Sequence, residues 1–155
     1  MPELQTSYAT DPAKAYAGMI ANGETSNRIT RTVETSTGIA FGQPAYRGSG
    51  DHGCTATVGT LATFLGWTVA TSALGMTSGA DADEYQQYDN AVIITAGAVY
   101  VNVKGSVADG AAITVGTGGG AADLIGSTAA DATHIATGWV ADETVTDGLC
   151  RIVKR

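Results

Sequence analysis

The sequence predicts an all-β protein, either a small β-barrel or a jelly-roll-like sandwich, with an extended N-terminal arm. Composition is the first reason, because Val, Ile and Thr account for 43 of the 155 residues and Leu for only six. β-Branched residues suit pleated strands, whereas a helical bundle needs more Leu and more charge than the 15% of charged residues here. The second reason is a series of short alternating runs separated by some of the 21 glycines.

The first 27 residues have a different character from the rest. Residues 1–27 show no strand period, and scattered apolar side chains alternate with prolines and glycines. We expect an extended arm that lies across its own sheet or reaches onto a partner. Residues 28–155 then form a single β-barrel or sandwich domain.

The predicted strands follow from alternation and from apolar runs. Val99, Val101 and Val103 share one face of their run, and the residues between them share the other. The run 63–70 is apolar on both faces, as in a strand covered on both sides. Asp-Gly pairs at 109–110 and 147–148 predict tight turns. The predicted strands are 28–34, 38–41, 54–58, 63–70, 91–95, 99–104, 112–115, 133–140 and 149–153.

The charge distribution argues against two classes of partner. The formal net charge is −7 and the pI is about 4.5, which disfavours binding to nucleic-acid phosphates. Residues 81–147 contain ten acidic residues and one basic residue, Lys104, so this stretch would attract a basic protein surface or cations. No apolar run approaches the ~18 residues of a membrane-spanning helix, and no secretory signal is recognisable. We expect neither nucleic acid nor membrane as a partner.

Two arrangements contain residue types used in cofactor binding or catalysis. Segment 48–53 contains a G-x-G-x-x-G pattern, but a dinucleotide site needs a helix after it, and the following residues predict a strand. We expect a hairpin tip instead. Ser49, Asp51 and His52 could supply a hydrolase triad, with His134 as another candidate base, yet no nucleophile elbow surrounds Ser49. The sequence predicts no enzyme and no cofactor.

An acidic loop and two cysteines are the candidates for metal binding. The acidic side chains of the loop lack the spacing of an EF-hand, so we expect a solvated loop and no metal site. They are Asp81, Asp83, Glu84 and Asp89. Cys54 and Cys150 have neither CxxC spacing nor a nearby histidine pair, so we expect two buried thiols. Free thiols fit synthesis in a reducing cytoplasm.

Four strings cover much of the chain in a fixed order. They are AYAGMIAN (15–22), RTVETSTGIAFGQPAYRG (31–48), YDNAVIITAGAVYVNVKGSVADGAAITV (88–115) and DGLCRIVKR (147–155). Together they resemble the capsid cement (decoration) proteins of tailed bacteriophages. The order and spacing of the strings are more specific than any one of them.

The resemblance implies a virion structural protein on the outer surface of an icosahedral head, synthesised in the cytoplasm of the bacterial host. Such proteins occupy local symmetry axes in many copies, bridge neighbouring major capsid proteins and brace the shell against DNA pressure. The implied partners are the major capsid protein and further copies of the chain, and we favour a trimer over a dimer. The family has no catalytic residues to carry over.

Spaced anchors on the arm and two arginines are the candidate contacts with the capsid or a neighbouring subunit. Aromatic and Met side chains can fill pockets on a partner, and arginines can pair with its carboxylates; the same groups could instead contact their own chain. These residues are Tyr8, Tyr16, Met19, Ile20, Arg28 and Arg31. The alternative function is a carbohydrate-binding β-sandwich, in which Trp67, Trp139 and exposed tyrosines stack on sugars, although both tryptophans lie in apolar runs typical of a core.

Overall fold

A computed structural model gives the fold and describes residues 14–23, 25–71, 83–117 and 124–155. These ranges contain no helix, and therefore none long and apolar enough to cross a membrane. The predicted all-β class is confirmed. The strands, in chain order, are β1 (Asn27–Val33), β2 (Ile39–Ala40), β3 (Pro44–Arg47), β4 (Gly53–Thr55), β5 (Phe64–Thr68), β6 (Glu84–Tyr85), β7 (Asn90–Val107), β8 (Ala112–Gly116), β9 (Ile125–Gly126), β10 (His134–Ala141) and β11 (Val145–Lys154).

Five strands close into a ring, which we call the first barrel. β1 pairs with β4, β4 with β3, β3 with β5 and β5 with β7. Residues 90–96 of β7 then pair with β1 and complete the ring. The β1–β4 pairing is parallel, and the other pairings of the ring are antiparallel. Strands β2 and β6 form a separate two-stranded sheet.

The long strand β7 continues beyond the first barrel into what we call the second sheet. Its residues 97–107 pair with β11, and the order then runs through β10 and β8 to β9. After β9 the chain returns to β7, where the Ser127 hydroxyl donates to the Ser106 carbonyl oxygen at 3.2 Å. A single 18-residue strand therefore belongs to both parts of the molecule.

Buried apolar side chains form two clusters. Adjacent residues of β7 contribute to different clusters, since Ile93 and Ile94 point to opposite faces of the strand. Trp67 of β5 meets Trp139 of β10 edge to face, with ring centroids 6.4 Å apart. This contact ties the first barrel to the second sheet. The smaller cluster contains Val33, Ile39, Phe41, Ala45, Cys54, Tyr85, Ala91 and Ile93.

Two predicted interruptions lie inside strands. Gly97, expected to separate two runs, has a φ of +124° within the continuous strand β7. The predicted turn at Asp147 and Gly148 is wrong, because both residues lie inside β11. Asp147 has a φ of +46°, and the register against β7 shifts beside it, so the residue forms a bulge rather than a reversal. The turn at Gly110, with a φ of +78°, is confirmed.

Candidate functional site

The N-terminal segment 14–23 pairs with the same strand as β1. Gly18 donates its amide to the Tyr100 carbonyl oxygen at 2.8 Å, and the Tyr100 amide donates to the Met19 carbonyl oxygen at 3.0 Å. Ile20 forms an antiparallel bridge with Val99. This part of the predicted arm therefore lies on its own sheet, whereas Tyr8 lies outside the described residues.

Gly18 lies close against the backbone of residues 42 and 70. Its carbonyl oxygen accepts a hydrogen bond from the Ala70 amide at 2.9 Å. A Cβ at Gly18 would approach the amide nitrogens of Ala70 and Gly42 to 2.8 and 2.9 Å, and the φ of Gly18 is +78°. No larger residue fits this crossing without displacing backbone.

The side chains of the segment divide between the body and solvent. Tyr16 is 61% exposed, whereas Ile20 packs against the larger buried cluster. Lys14 forms an ion pair with Glu143 and lies 5.8 Å above the centroid of the Tyr100 ring. The hydrogen bond to Glu143 raises the pKa of Lys14. Among the predicted contact residues of this segment, Tyr16 has the largest exposed fraction, since Met19 and Ile20 are half-buried.

The two predicted arginines have different surroundings. Arg28 is exposed near the start of β1. Arg31 instead reaches the β3–β4 tip, where its Nη1 donates to the Asp51 carbonyl oxygen at 3.3 Å and lies 3.0 Å from His52 Nδ1. Part of the hydrogen-bonding capacity of Arg31 is thus used within the chain.

The glycine-rich segment 48–53 encloses a carboxylate of the same chain. The backbone amide and hydroxyl of Ser49 donate to Glu34 Oε2 at 2.8 and 2.9 Å, and the Gly50 amide donates to Oε1 at 2.8 Å. These hydrogen bonds, led by that of the Ser49 amide, lower the pKa of Glu34. A Cβ at Gly53 would overlap Glu34 Oε1. The predicted hairpin tip is confirmed, because β3 and β4 pair on either side of this segment. Its glycines leave space for the Glu34 carboxylate.

The candidate catalytic side chains are engaged in local structure. The Ser49 hydroxyl bonds to Glu34, and the His52 ring lies against Arg31, so these neighbours in sequence do not form the triad arrangement. His134 Nδ1 lies 3.1 Å from Asp131 Oδ1, which also accepts bonds from Thr133. The hydrogen bonds from the Thr133 hydroxyl and amide lower the pKa of Asp131 to about 2.

The acidic loop gathers no metal-ligating cluster within the part of the chain that is described. Asp81 lies outside the described residues. Glu84 accepts a hydrogen bond from the Gln86 side chain at 2.7 Å, and Asp89 accepts one from the Gln86 amide at 2.8 Å. Across the described ranges, no three His, Cys, Asp or Glu side chains come close enough to hold a metal ion.

Both tryptophans and both cysteines are core residues. Trp67 and Trp139 are 0% exposed, so neither can stack on a sugar ring. The carbohydrate-binding alternative thereby loses the two tryptophans on which it partly depended. Cys54 and Cys150 are buried free thiols, as predicted, and burial raises the pKa of each to about 11.

Sequence reasoning missed two strongly exposed apolar side chains, Leu61 at 59% and Tyr88 at 76%. Leu61 lies on the β4–β5 connection and lines an open groove together with His134 and Ile135. Tyr88 lies on the turn before β7. Neither is part of an alternating run, so the pattern that predicted the strands carried no information about them.

The described part of the chain is thus an all-β protein with two strongly exposed apolar side chains, Leu61 and Tyr88, on connections between strands. Residues 4–154 match the family described as structural cement protein (E217 gp24/Pam3 gp6). The match covers nearly the whole chain, and the chain belongs to this family of phage cement proteins. The predicted family and the predicted capsid cement role are confirmed.

A solved structure has a similar fold. The chain superposes on a protein of "The capsid of Myoviridae Phage XM1" with a TM-score of 0.72 and 12% sequence identity. The alignment covers 97% of this chain and 96% of that one. At this identity the likeness concerns the fold. No curated protein matches the chain in a sequence comparison.

Proposed function

We propose that this cement protein binds the outer surface of an icosahedral phage head, bridges neighbouring major capsid proteins and stabilises the shell. The observation that carries the proposal is the family match over residues 4–154. A bridging protein acts mechanically, so the proposal includes no catalytic turnover. Many copies, each binding modestly, would together brace the shell through multivalency.

The architecture supports a bridging role. β7 runs through both the first barrel and the second sheet, and the pair of Trp67 and Trp139 packs the two parts together. Close-packed interiors transmit strain with little compression. A cement protein needs this property, because a soft body would let bound capsid subunits move apart.

Two of the predicted contact residues have the exposure that capsid binding requires. Tyr16 presents its ring at the surface, and Arg28 lies exposed near the start of β1. We propose them as capsid or inter-subunit contacts, together with Tyr8 from the predicted arm. Met19, Ile20 and Arg31 are proposed to contribute through the surface that remains beside their contacts within the chain.

The proposal also covers assembly and location. Closed cyclic symmetry is the common solution for homo-oligomers, and a trimer is the state we favour over a dimer for a protein at three-fold or quasi-three-fold positions. Two buried free thiols fit synthesis in the reducing cytoplasm of the bacterial host before the protein joins the virion.

The test is cosedimentation of the purified chain with heads of the encoding phage from which the protein has been removed. Saturable binding at a fixed integer ratio to the major capsid protein is the expected result, and the ratio separates two-fold from three-fold placement. No binding well above a concentration of about 1 μM would overturn the proposal, because interfaces of standard size have dissociation constants from about micromolar to picomolar.

Single substitutions then test the contacts. Arg28→Gln is expected to weaken head binding about two- to five-fold, an effect that shrinks with added salt, as for a charge at the rim of an interface. Arg47→Gln, which changes another exposed arginine in the first barrel, is the matched control. If the two variants bind heads with the same affinity, Arg28 is not part of the contact surface.

A further inference from the structure

The turn between β6 and β7 is held on both sides by hydrogen bonds. The Tyr88 amide donates to the Val33 carbonyl oxygen at 2.8 Å, and the Asp89 amide donates to the Gln86 carbonyl oxygen at 3.1 Å. The Asp89 carboxylate in turn accepts from the Gln86 amide at 2.8 Å. The Gln87 side chain adds a bond to the Glu34 carbonyl oxygen at 3.2 Å. The backbone of this turn is therefore fixed relative to β1.

Two tyrosines on this segment have opposite environments. Tyr85 is 1% exposed, donates its hydroxyl to the Val69 carbonyl oxygen at 2.6 Å and meets Phe41 edge to face. Tyr88, three residues later, is 76% exposed, the largest value among the large apolar side chains that the structure describes. One ring anchors the segment to the core, and the other projects from it.

Tyr88 also has a backbone conformation that its side chain disfavours. Its φ is +73°, and a bulky residue with a positive φ is a steric outlier, whereas Gly or Asn adopts this region readily. The surrounding hydrogen bonds impose the conformation, and the exposed ring contributes little to the core. Such strain concentrates at functional sites, where the structure holds a side chain ready for use.

We propose that Tyr88 is an anchoring contact of this cement protein, and that its ring enters a pocket on an electropositive surface of the major capsid protein. The inference rests on the proposed function, and it names a contact that lies outside the predicted arm. Tyrosine suits this role because a rigid aromatic ring buries a large area and loses little side-chain entropy on binding.

The charge around the turn selects the partner. Asp89 lies on the same turn as Tyr88, and Glu84 lies at the adjoining strand β6; both carboxylates accept hydrogen bonds from Gln86 of the turn. The sequence has no Lys or Arg between Arg47 and Lys104. A second copy docked turn to turn would bring carboxylates against carboxylates, which is unfavourable. A capsid arginine or lysine beside the pocket could instead contact the ring face and pair with a carboxylate.

The experiment compares three full-length proteins on heads that lack the cement protein. They are the wild type, Tyr88→Asn and the control Leu61→Asn, which changes the other strongly exposed apolar side chain of a connecting loop. Asn accepts the positive φ of the turn, so Tyr88→Asn keeps the fold. We expect Tyr88→Asn to raise the dissociation constant about 30-fold, as for a binding hot spot, and Leu61→Asn to change it less than about two-fold, as for a side chain outside the interface.

The possible outcomes separate the two proposals. If the wild type binds heads and Tyr88→Asn binds equally well, the inference is overturned and the proposed function stands. If the wild type does not bind at all, the proposed function is overturned, and the inference falls with it. If Tyr88→Asn binds heads normally but sediments as a smaller oligomer, the occupant is a second copy, which also overturns the inference. Tyr88→Gly, which removes the backbone strain entirely, should reproduce the loss seen with Asn.

Discussion

The first barrel and the second sheet are stabilised in different ways, although they share β7. The first barrel uses short strands, such as the three residues of β4, whereas β11 in the second sheet has ten. Side chains hold its connections in place: Glu34 holds the β3–β4 tip, and the Thr68 hydroxyl of β5 donates to the Ala40 carbonyl oxygen of the adjoining strand β2 at 2.7 Å. The second sheet has side-chain bonds of this kind too, as where the Thr137 hydroxyl donates to the Ile113 carbonyl oxygen at 2.6 Å, but it also has the long β7–β11 pairing. The long β7–β11 pairing makes the second sheet stiff. The short strands of the first barrel are joined by turns whose side chains are available for contacts with a partner.

The largest effect is expected where the two parts meet. Trp67→Ala removes a fully buried indole that packs against Trp139 at 6.4 Å and Phe64 at 5.7 Å between ring centroids. We expect it to lower the free energy of unfolding by about 3 to 5 kcal/mol, the range for large cavities in a core. Chemical denaturation measures the loss. Trp67→Phe should lose less, and a loss below about 1 kcal/mol for the alanine variant would mean that the two parts do not depend on this contact.

A smaller effect is expected at the crossing of the N-terminal segment. Gly18→Ala adds a Cβ that meets backbone atoms at 2.8 and 2.9 Å, in addition to the strain of a φ of +78°. We expect a cost of about 2 to 4 kcal/mol from strain and overpacking together, with faster proteolysis within residues 14–23. Gly110→Ala is the matched control, because it has the same φ and nothing within 4 Å of the added Cβ.

Gly110→Ala is expected to cost only about 1 to 2 kcal/mol, from backbone strain alone. The difference between the two alanine variants therefore measures how tightly the segment is held against the body. Equal losses in thermal or chemical unfolding would contradict the close packing at Gly18.

The smallest effect is expected for the pH dependence of stability that Glu34 gives to the first barrel. Hydrogen bonds from Ser49 and Gly50 hold the pKa of folded Glu34 below 4.5, its ordinary value. The stabilisation is therefore complete above pH 4.5 and is lost as the pH falls through the lower pKa of the folded state. We expect Glu34→Gln to have a lower unfolding midpoint than the wild type at pH 7. At pH 3 the difference between the two midpoints should be smaller, because the wild-type carboxylate then loses its advantage.

Amide hydrogen exchange should localise this change. Protection at Ser49 and Gly50, whose amides donate to the Glu34 carboxylate, should fall in Glu34→Gln, while protection in β11 should not change. Parallel pH curves for the two proteins would show that Glu34 does not couple to folding.

Local alternation correctly indicated the strand class and much of the core. Val99, Val101 and Val103 are buried, and Asn102 and Lys104 are exposed, as their alternation predicts. Tyr100 shares a face with Asn102 and Lys104 but is only 5% exposed, because the N-terminal segment lies along it and Lys14 stands above its ring. Its environment comes from residues far away in sequence.

The bulges show a second limit of local reasoning. An Asp-Gly pair favours a left-handed backbone whether the chain reverses or continues, and Asp147 adopts that conformation inside β11. Its carboxylate accepts the Gly105 amide of β7 at 2.8 Å, so the neighbouring strand stabilises the bulge. At Gly110 the same local chemistry produces a turn. Whether an Asp-Gly pair forms a bulge or a turn depends on which strands pair around it, and strand pairing is not a local property of the sequence.

Residue order and composition were therefore sufficient for the β class and for the burial of Trp67 and Trp139, because each depends on patterns within short windows. The order of the four strings carried the resemblance to the cement family, which the family match confirmed. Tertiary contacts alone placed the Glu34 carboxylate inside the glycine-rich tip and separated buried Tyr85 from exposed Tyr88. Both outcomes depend on which distant backbone atoms lie within hydrogen-bond distance. A carboxylate or a phenol ring has the same local preferences wherever the fold puts it, and the surrounding chain decides whether it becomes an anchor or a contact.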